Sequence, residues 1–133
     1  MKLTTRSEYA LLALVSLARH DTSENISGET IANEQGIPQN YLRQILLTLN
    51  RAGYVQSTKG QHGGYRLAKL PVEIPVADIV RLFDGPLAPT DSVSRFFYES
   101  TPIEKEKRLL GLFQEIRDLV AAKLESTTLA DVL

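Results

Sequence analysis

Apolar residues recur at helical spacing in five segments of the chain. The first segment covers residues 5–19 and is apolar from Ala10 to Ala18 except for Ser16. This pattern predicts a helix that is covered on more than one side. Thr4 or Thr5 can cap the helix, and Glu8 follows Thr5 at the spacing of a capping box.

Two short helices are predicted next, and Gly36 separates them. Ser27 is placed to cap the first of them, residues 28–35, and glycine is typical of a helix end. Pro38 suits the first position of the second helix, which we expect to continue to about Ala52. Two helices joined by so short a connection form a helix-turn-helix.

The second helix of this pair has two unlike faces. At about 100° per residue, its apolar and polar side chains separate onto opposite sides. Leu47 is the exception, because it is apolar and lies on the polar side. The apolar face consists of Leu42, Ile45, Leu46 and Leu49, and the polar face of Gln39, Asn40, Arg43 and Gln44.

A glycine-rich hairpin is predicted directly after this helix. Residues 54–57 and 64–67 favour strands; Gly60 and Gly63 lie in the loop between them, and Gly64 begins the second strand. Helix-turn-helix followed by a hairpin is the element order of a winged helix. In that fold the second helix enters the DNA major groove, which is wide enough for one α-helix.

The charge distribution agrees with a DNA-binding surface. Residues 35–72 contain no Asp or Glu, whereas the whole chain has a net charge of only −1. An acid-free helix and hairpin suit a phosphate backbone; the alternative is an ordinary solvated polar face. The positive side chains of this segment are Arg43, Arg51, Lys59, Arg66 and Lys69.

The side chains of the polar face match the chemistry of base edges. The amides of Gln39, Asn40 and Gln44 can pair with a donor–acceptor edge, and Arg43 can bind guanine through two hydrogen bonds. On the hairpin, Lys59 and Arg66 suit phosphate contacts.

The C-terminal half contains the longest amphipathic pattern. Pro71 and Pro75 bracket a linker, residues 76–83 favour a short helix, and residues 87–101 favour a loop. From Pro102 the pattern is helical for over twenty residues, and residues 127–133 allow one more turn.

So long a helix exceeds what a small domain can cover, which favours packing against a partner helix from a second copy; the alternative is packing on its own domain. The stripe consists of Leu109, Leu112, Phe113, Ile116, Leu119, Val120 and Leu124.

Several function classes find no support in the sequence. The chain has no cysteine, which excludes disulfides and thiolate-ligated zinc or iron–sulfur sites. No apolar run is long enough for a membrane span, and the N-terminus lacks the pattern of a signal peptide, so we expect a cytoplasmic protein. No catalytic signature is present, so we expect neither an enzyme nor a metal site.

Five motifs together resemble the Rrf2 family of bacterial winged-helix transcription regulators. That family includes the iron–sulfur cluster regulator, cysteine-metabolism repressors and nitric-oxide sensors. The resemblance covers nearly the whole chain, and the Gly-Gly-Tyr hairpin is its most specific part. The motifs are Met-Lys-Leu-Thr-Thr-Arg-x-x-Tyr-Ala, Ile-Pro-x-x-Tyr-Leu-x-Gln-Ile-Leu, Ala-Gly-x-Val-x-Ser, Gly-x-x-Gly-Gly-Tyr-x-Leu and Thr-Leu-Ala-Asp.

The resemblance implies a homodimeric DNA-binding regulator, often a repressor, on a pseudo-palindromic operator. Residues 1–70 would form the winged helix-turn-helix, with helix 1 also contributing to the dimer. Residues 71–101 would form a linker, a short helix and a sensor-type loop, and residues 102–133 the dimerisation helix and tail. By position, the major-groove contacts would be Gln39, Asn40, Tyr41, Arg43 and Gln44, and the wing would comprise Ser57, Thr58, Lys59, Gly60, Gln61, His62, Gly63, Gly64 and Tyr65.

The sensor-type loop departs from the cluster-binding members, which place three cysteines after the fourth helix. Ser92, and less clearly Ser100, stand where a cysteine could stand. A serine hydroxyl is a poor iron ligand beside a thiolate, so we expect no cluster. The sequence leaves open whether this is a cysteine-free branch or a chain with cysteines replaced.

A second function remains possible at this point. The acidic C-terminal half and the aromatic run Phe96-Phe97-Tyr98 suit a protein-interaction or effector-binding module that keeps the fold without binding DNA.

Overall fold

The computed structural model describes residues 1–133. Its mainly helical architecture with one small hairpin is the one that the hydrophobic pattern predicts. Short 3-10 turns occur at Pro71–Glu73, Asp91–Val93, Pro102–Lys105 and Leu129–Val132. The helices and strands are α1 (Thr5–Arg19), α2 (Gly28–Gln35), α3 (Gln39–Arg51), β1 (Val55–Thr58), β2 (Gly64–Leu67), α4 (Val76–Asp84) and α5 (Lys107–Ser126).

One apolar core joins the N-terminal and C-terminal parts of the chain. The core cluster contains 17 buried residues, from α1, α2, α3 and the hairpin, together with Ile26, Ile37, Ile74, Ile79 and Leu129. Full burial of a leucine or isoleucine side chain contributes about 1.5–3 kcal/mol to the stability of the fold. Because the apolar face of α3 is fully used in this core, its opposite face is turned outward. Leu42, Ile45, Leu46 and Leu49 are each at most 1% exposed.

Two details at the helix starts differ from the sequence prediction. Thr4 is the cap of α1, and its hydroxyl accepts a hydrogen bond from the Ser7 N–H at 3.3 Å. Glu8 is therefore one residue too late to complete a capping box. Pro38 occupies the N-cap position of α3 (φ −58°, ψ 130°) without a side-chain cap hydrogen bond and precedes the first helical residue, Gln39.

The prediction of one helix of over twenty residues from Pro102 was wrong. Residues Pro102–Lys105 form a separate 3-10 turn, Glu106 is non-helical (φ −104°, ψ 87°), and α5 has 20 residues. Residues 104–108 are all charged, so no apolar face there packs the turn continuously with α5.

Polar contacts fix α1 against its neighbours. Asp84 at the end of α4 accepts hydrogen bonds from the Thr4 N–H and, at 2.7 Å, from the Ser7 hydroxyl. At the other end of α1, the Ser16 hydroxyl and the His20 ring hydrogen-bond to Glu34 of α2 and hold the pKa of that carboxyl below its usual value.

None of the helices combines the length and the hydropathy that a membrane span requires.

Candidate nucleic-acid interface

The polar face of α3 is exposed along its length. Asn40, Arg43 and Gln44 are all exposed to solvent, and Arg43 belongs to none of the ion pairs in the structure. An unpaired guanidinium beside two amides leaves every donor of this face available to an incoming partner. The structure therefore brings these three predicted residues together on one open surface.

Gln39 lies at the side of this face, where it lines a cleft of about 190 Å³ with Arg43. Glu29 of α2 and Tyr65 of β2 also line the cleft. The acid-free stretch of sequence is therefore not acid-free in space, because Glu29 comes from a helix that precedes it. This carboxylate lies at the margin of the surface and makes no ion pair.

Tyr41 occupies a different position from the other predicted contacts. Its ring meets that of Tyr9 on α1 edge to face, with centroids 5.4 Å apart and planes at 88°. Such aromatic pairs contribute about 0.5–1.5 kcal/mol beyond area burial. Tyr41 thus braces α3 against α1, while the rest of its ring is exposed.

The hairpin is antiparallel, and its tip is exposed to solvent. Thr58 pairs with Gly64 at the end of the ladder, and the Gly63 N–H donates to the Gly60 carbonyl to close the turn. At the other edge, the Asn50 amide of α3 donates to the Ser57 hydroxyl at 2.8 Å. The exposed residues of the tip are Lys59, Gly60, Gln61 and His62.

A backbone bridge that the sequence pattern did not predict locks this wing to the helix-turn-helix. Ile26 and Tyr65 exchange two N–H···O=C hydrogen bonds, each 2.8 Å long. The Asn25 amide also donates to the His62 carbonyl at 3.2 Å. The only local signal was an apolar residue, Ile26, between a polar loop and the Ser27 cap. The bridge fixes the orientation of the wing relative to α2 and, through it, α3.

The predicted dimerisation stripe divides into two parts. Leu109, Leu112 and Leu119 are exposed on α5, and Leu119 is 72% exposed. Leu124 instead packs against the buried cluster of Ala77, Val80 and Leu87 in its own chain. The half-buried members of the stripe are Phe113, Ile116, Val120 and Leu124.

Known proteins resemble the chain along nearly its full length. A family model described as "Rrf2: Iron-dependent Transcriptional regulator" matches residues 3–133. An rrf2-like protein of Rhodobacter capsulatus is 36% identical over 137 residues, which cover 98% of this chain and 91% of that protein.

Solved structures show the same likeness. The structure of CymR, the global cysteine regulator of Bacillus subtilis, superposes with a TM-score of 0.80 at 32% identity, covering 99% of this chain and 95% of that chain. A protein from Listeria innocua gives a TM-score of 0.82 at 33% identity, covering 99% of this chain and 85% of that chain. The winged-helix fold predicted from the sequence is confirmed by these structures.

The loop between α4 and α5 does not fit an iron or iron–sulfur group. Such groups take thiolate, imidazole or carboxylate ligands. The chain has no cysteine, and no three His, Asp or Glu side chains form a group that could hold a metal ion. The buried Ser92 hydroxyl accepts a hydrogen bond from the Thr101 hydroxyl at 2.8 Å, and the Ser100 hydroxyl donates to Glu104 at 2.9 Å. These two hydroxyls are used in contacts within the loop.

Proposed function

Because this chain belongs to the Rrf2 family of transcriptional regulators, we propose that it is a homodimeric repressor which binds a pseudo-palindromic operator through α3 and the wing. DNA-binding transcription regulation is the function of the family, and catalysis is not. A dimer bound across an operator occludes the duplex, so repression needs no further catalytic or binding group. A protein with this role acts in the cytoplasm, where bacterial DNA lies.

The observation that carries this proposal is the exposed polar face of α3 together with the exposed tip of the wing. Arg43 and Lys59 are exposed and make no ion pair, so neither must first give up a carboxylate partner. When such unpaired side chains bind phosphates, they release counterions from DNA, and no ion pair within the protein has to be broken first. The Ile26–Tyr65 bridge supports the proposal, because it holds wing and helix in one orientation.

The dimer is supported by α5. Its exposed leucines Leu112 and Leu119 are seven residues apart and Leu109 precedes Leu112 by three, which is the spacing of a coiled-coil seam. A two-fold dimer presents two copies of α3 to two half-sites at a fixed distance.

We also propose that the protein works without a resident iron–sulfur cluster. The side chains of the loop support this, because a serine hydroxyl is a poor substitute for the thiolate ligands that hold an iron–sulfur cluster. Iron analysis of protein purified without oxygen tests it; stoichiometric iron with a visible absorption band would contradict it.

Binding is tested by fluorescence anisotropy against duplexes from the promoter regions of the source genome. We expect specific binding whose logarithmic affinity falls linearly with the logarithm of salt concentration, because phosphate contacts release counterions. Sedimentation of the free protein should give twice the mass of one chain. No binding at low salt, or binding that is indifferent to salt, would contradict the proposal.

Alanine substitutions of Arg43 and Lys59 are expected to weaken DNA binding in different ways. Arg43→Ala should cost about 1–3 kcal/mol at one base pair and relax preference there, because a bidentate contact to guanine is lost. Lys59→Ala should weaken all sequences alike and reduce the salt slope by about 1. Affinities for the operator, its single-base variants and unrelated DNA separate the two effects; uniform weakening by Arg43→Ala would reverse the assignment.

An exposed aromatic run also favours a protein contact. Phe96, Phe97 and Tyr98 are all exposed on the loop before α5. We propose that any partner that docks there modulates DNA binding rather than replaces it. A partner that binds equally well to a Phe96→Ala/Phe97→Ala variant would show that it docks elsewhere, and a bound partner that leaves operator affinity unchanged would contradict the modulation.

A further inference from the structure

Leu47 is the only aliphatic side chain that α3 leaves exposed. It is 47% exposed, whereas the other leucines and the isoleucine of the helix are at most 1% exposed. Exposed leucines that occur singly are ordinary on protein surfaces. The position of this one around the helix distinguishes it.

Leu47 lies in the middle of the polar face. At about 100° per residue, it is about 20° from Asn40 and about 40° from Arg43 around the helix axis. Gln44 lies about 60° from Leu47, on the same side as Asn40, and Arg43 lies on the opposite side. Leu47 therefore continues the surface of Asn40, Arg43 and Gln44 about one helical turn further along α3, where a duplex lying along this face would meet it.

The chemistry of the major groove offers one apolar partner to such a side chain. Each base pair presents hydrogen-bonding groups there, and thymine alone adds a methyl group. A leucine pressed against the polar edges of the other bases would leave their donors and acceptors unpaired, which is costly. Next to a methyl group it removes apolar surface of both partners from water.

We propose that Leu47 selects thymine in each half-site by contacting its 5-methyl group. This inference rests on the proposed DNA-binding role of α3 and adds to it a specificity-determining residue of apolar character. Arg43 and the amides would then recognise their bases through hydrogen bonds, and Leu47 would recognise a neighbouring base by its methyl group.

The test removes the methyl group rather than the base pair. A high-affinity duplex is selected from a random pool with the unaltered protein, and each thymine is then replaced singly by deoxyuridine, which pairs identically but lacks the methyl group. At one thymine per half-site we expect affinity to fall about three- to fivefold, the value of one buried methyl group. In Leu47→Ala the same replacement should have no effect, so that the two changes form a double-mutant cycle.

Leu82→Ala is the matched control, because Leu82 is also exposed but belongs to α4. It should retain the full sensitivity to deoxyuridine. Alanine is the best helix former, and the deoxyuridine series on the unaltered protein does not depend on any variant folding.

The outcomes separate the two proposals. If no sequence is enriched from the pool, the proposed DNA-binding function itself fails. If a sequence is enriched but every deoxyuridine leaves affinity unchanged, or if Leu47→Ala keeps the same sensitivity, the role of Leu47 is overturned while DNA binding stands.

Discussion

Gly64→Ala is expected to destabilise the protein by about 2–6 kcal/mol and to abolish operator binding. Gly64 has φ 144°, a conformation that side chains with a Cβ rarely adopt. An added Cβ would also lie 2.6 Å from the Ile26 carbonyl oxygen. That oxygen accepts the Tyr65 N–H in the bridge between wing and helix-turn-helix. Relief of the clash must therefore separate the two parts that we expect to contact DNA together.

Urea unfolding and operator anisotropy measure the two effects. Gly60→Ala is the matched control, because Gly60 also has a positive φ, 105°, but an added Cβ there has nothing within 4 Å. It should lose only the cost of backbone strain, about 1–3 kcal/mol. Equal losses of stability in the two variants would show that close backbone approach is not what requires glycine at position 64.

Local patterns in the sequence were enough to predict the elements of the N-terminal half. The bounds of α1 and α2 agree with the prediction because caps and end signals stand at their termini: Ser27 accepts from the Thr30 N–H, and Gly36 adopts a left-handed conformation. The outward face of α3 followed from its apolar period, since burial of one side leaves the other to solvent.

Contacts between distant segments were beyond the reach of such patterns. The Ile26–Tyr65 bridge joins residues 39 positions apart, and no periodicity encodes which backbone edge will pair. The same limit explains Glu29, which lies outside the acid-free stretch but faces the same cleft as Arg43. For the same reason the sequence pattern placed Leu124 in the dimerisation stripe of α5, although Leu124 packs within its own chain.

The double substitution Leu112→Glu/Leu119→Glu is expected to convert the protein to a monomer and to lower operator affinity by about 100-fold or more. Two half-sites bound through one dimer gain about 10²–10⁴ in affinity over a single half-site, and a monomer forfeits that gain. Two charges on each helix would also lie against their counterparts in an apolar seam, where they would be desolvated without partners. The leucines are 49% and 72% exposed in the single chain, so the fold itself should persist.

Sedimentation and anisotropy on the same preparations test this expectation, with circular dichroism to verify helix content. The control carries the same change in net charge on the opposite side of α5, as Gln114→Glu together with Lys107→Gln, both at exposed positions. It should remain dimeric and bind the operator nearly as tightly as the unaltered protein. A Leu112→Glu/Leu119→Glu variant that stays dimeric would show that this stripe is not the interface. A monomeric variant that keeps its operator affinity would show that one copy of α3 and its wing suffices for recognition, which the small contact area of a single helix makes hard to reconcile with specific binding.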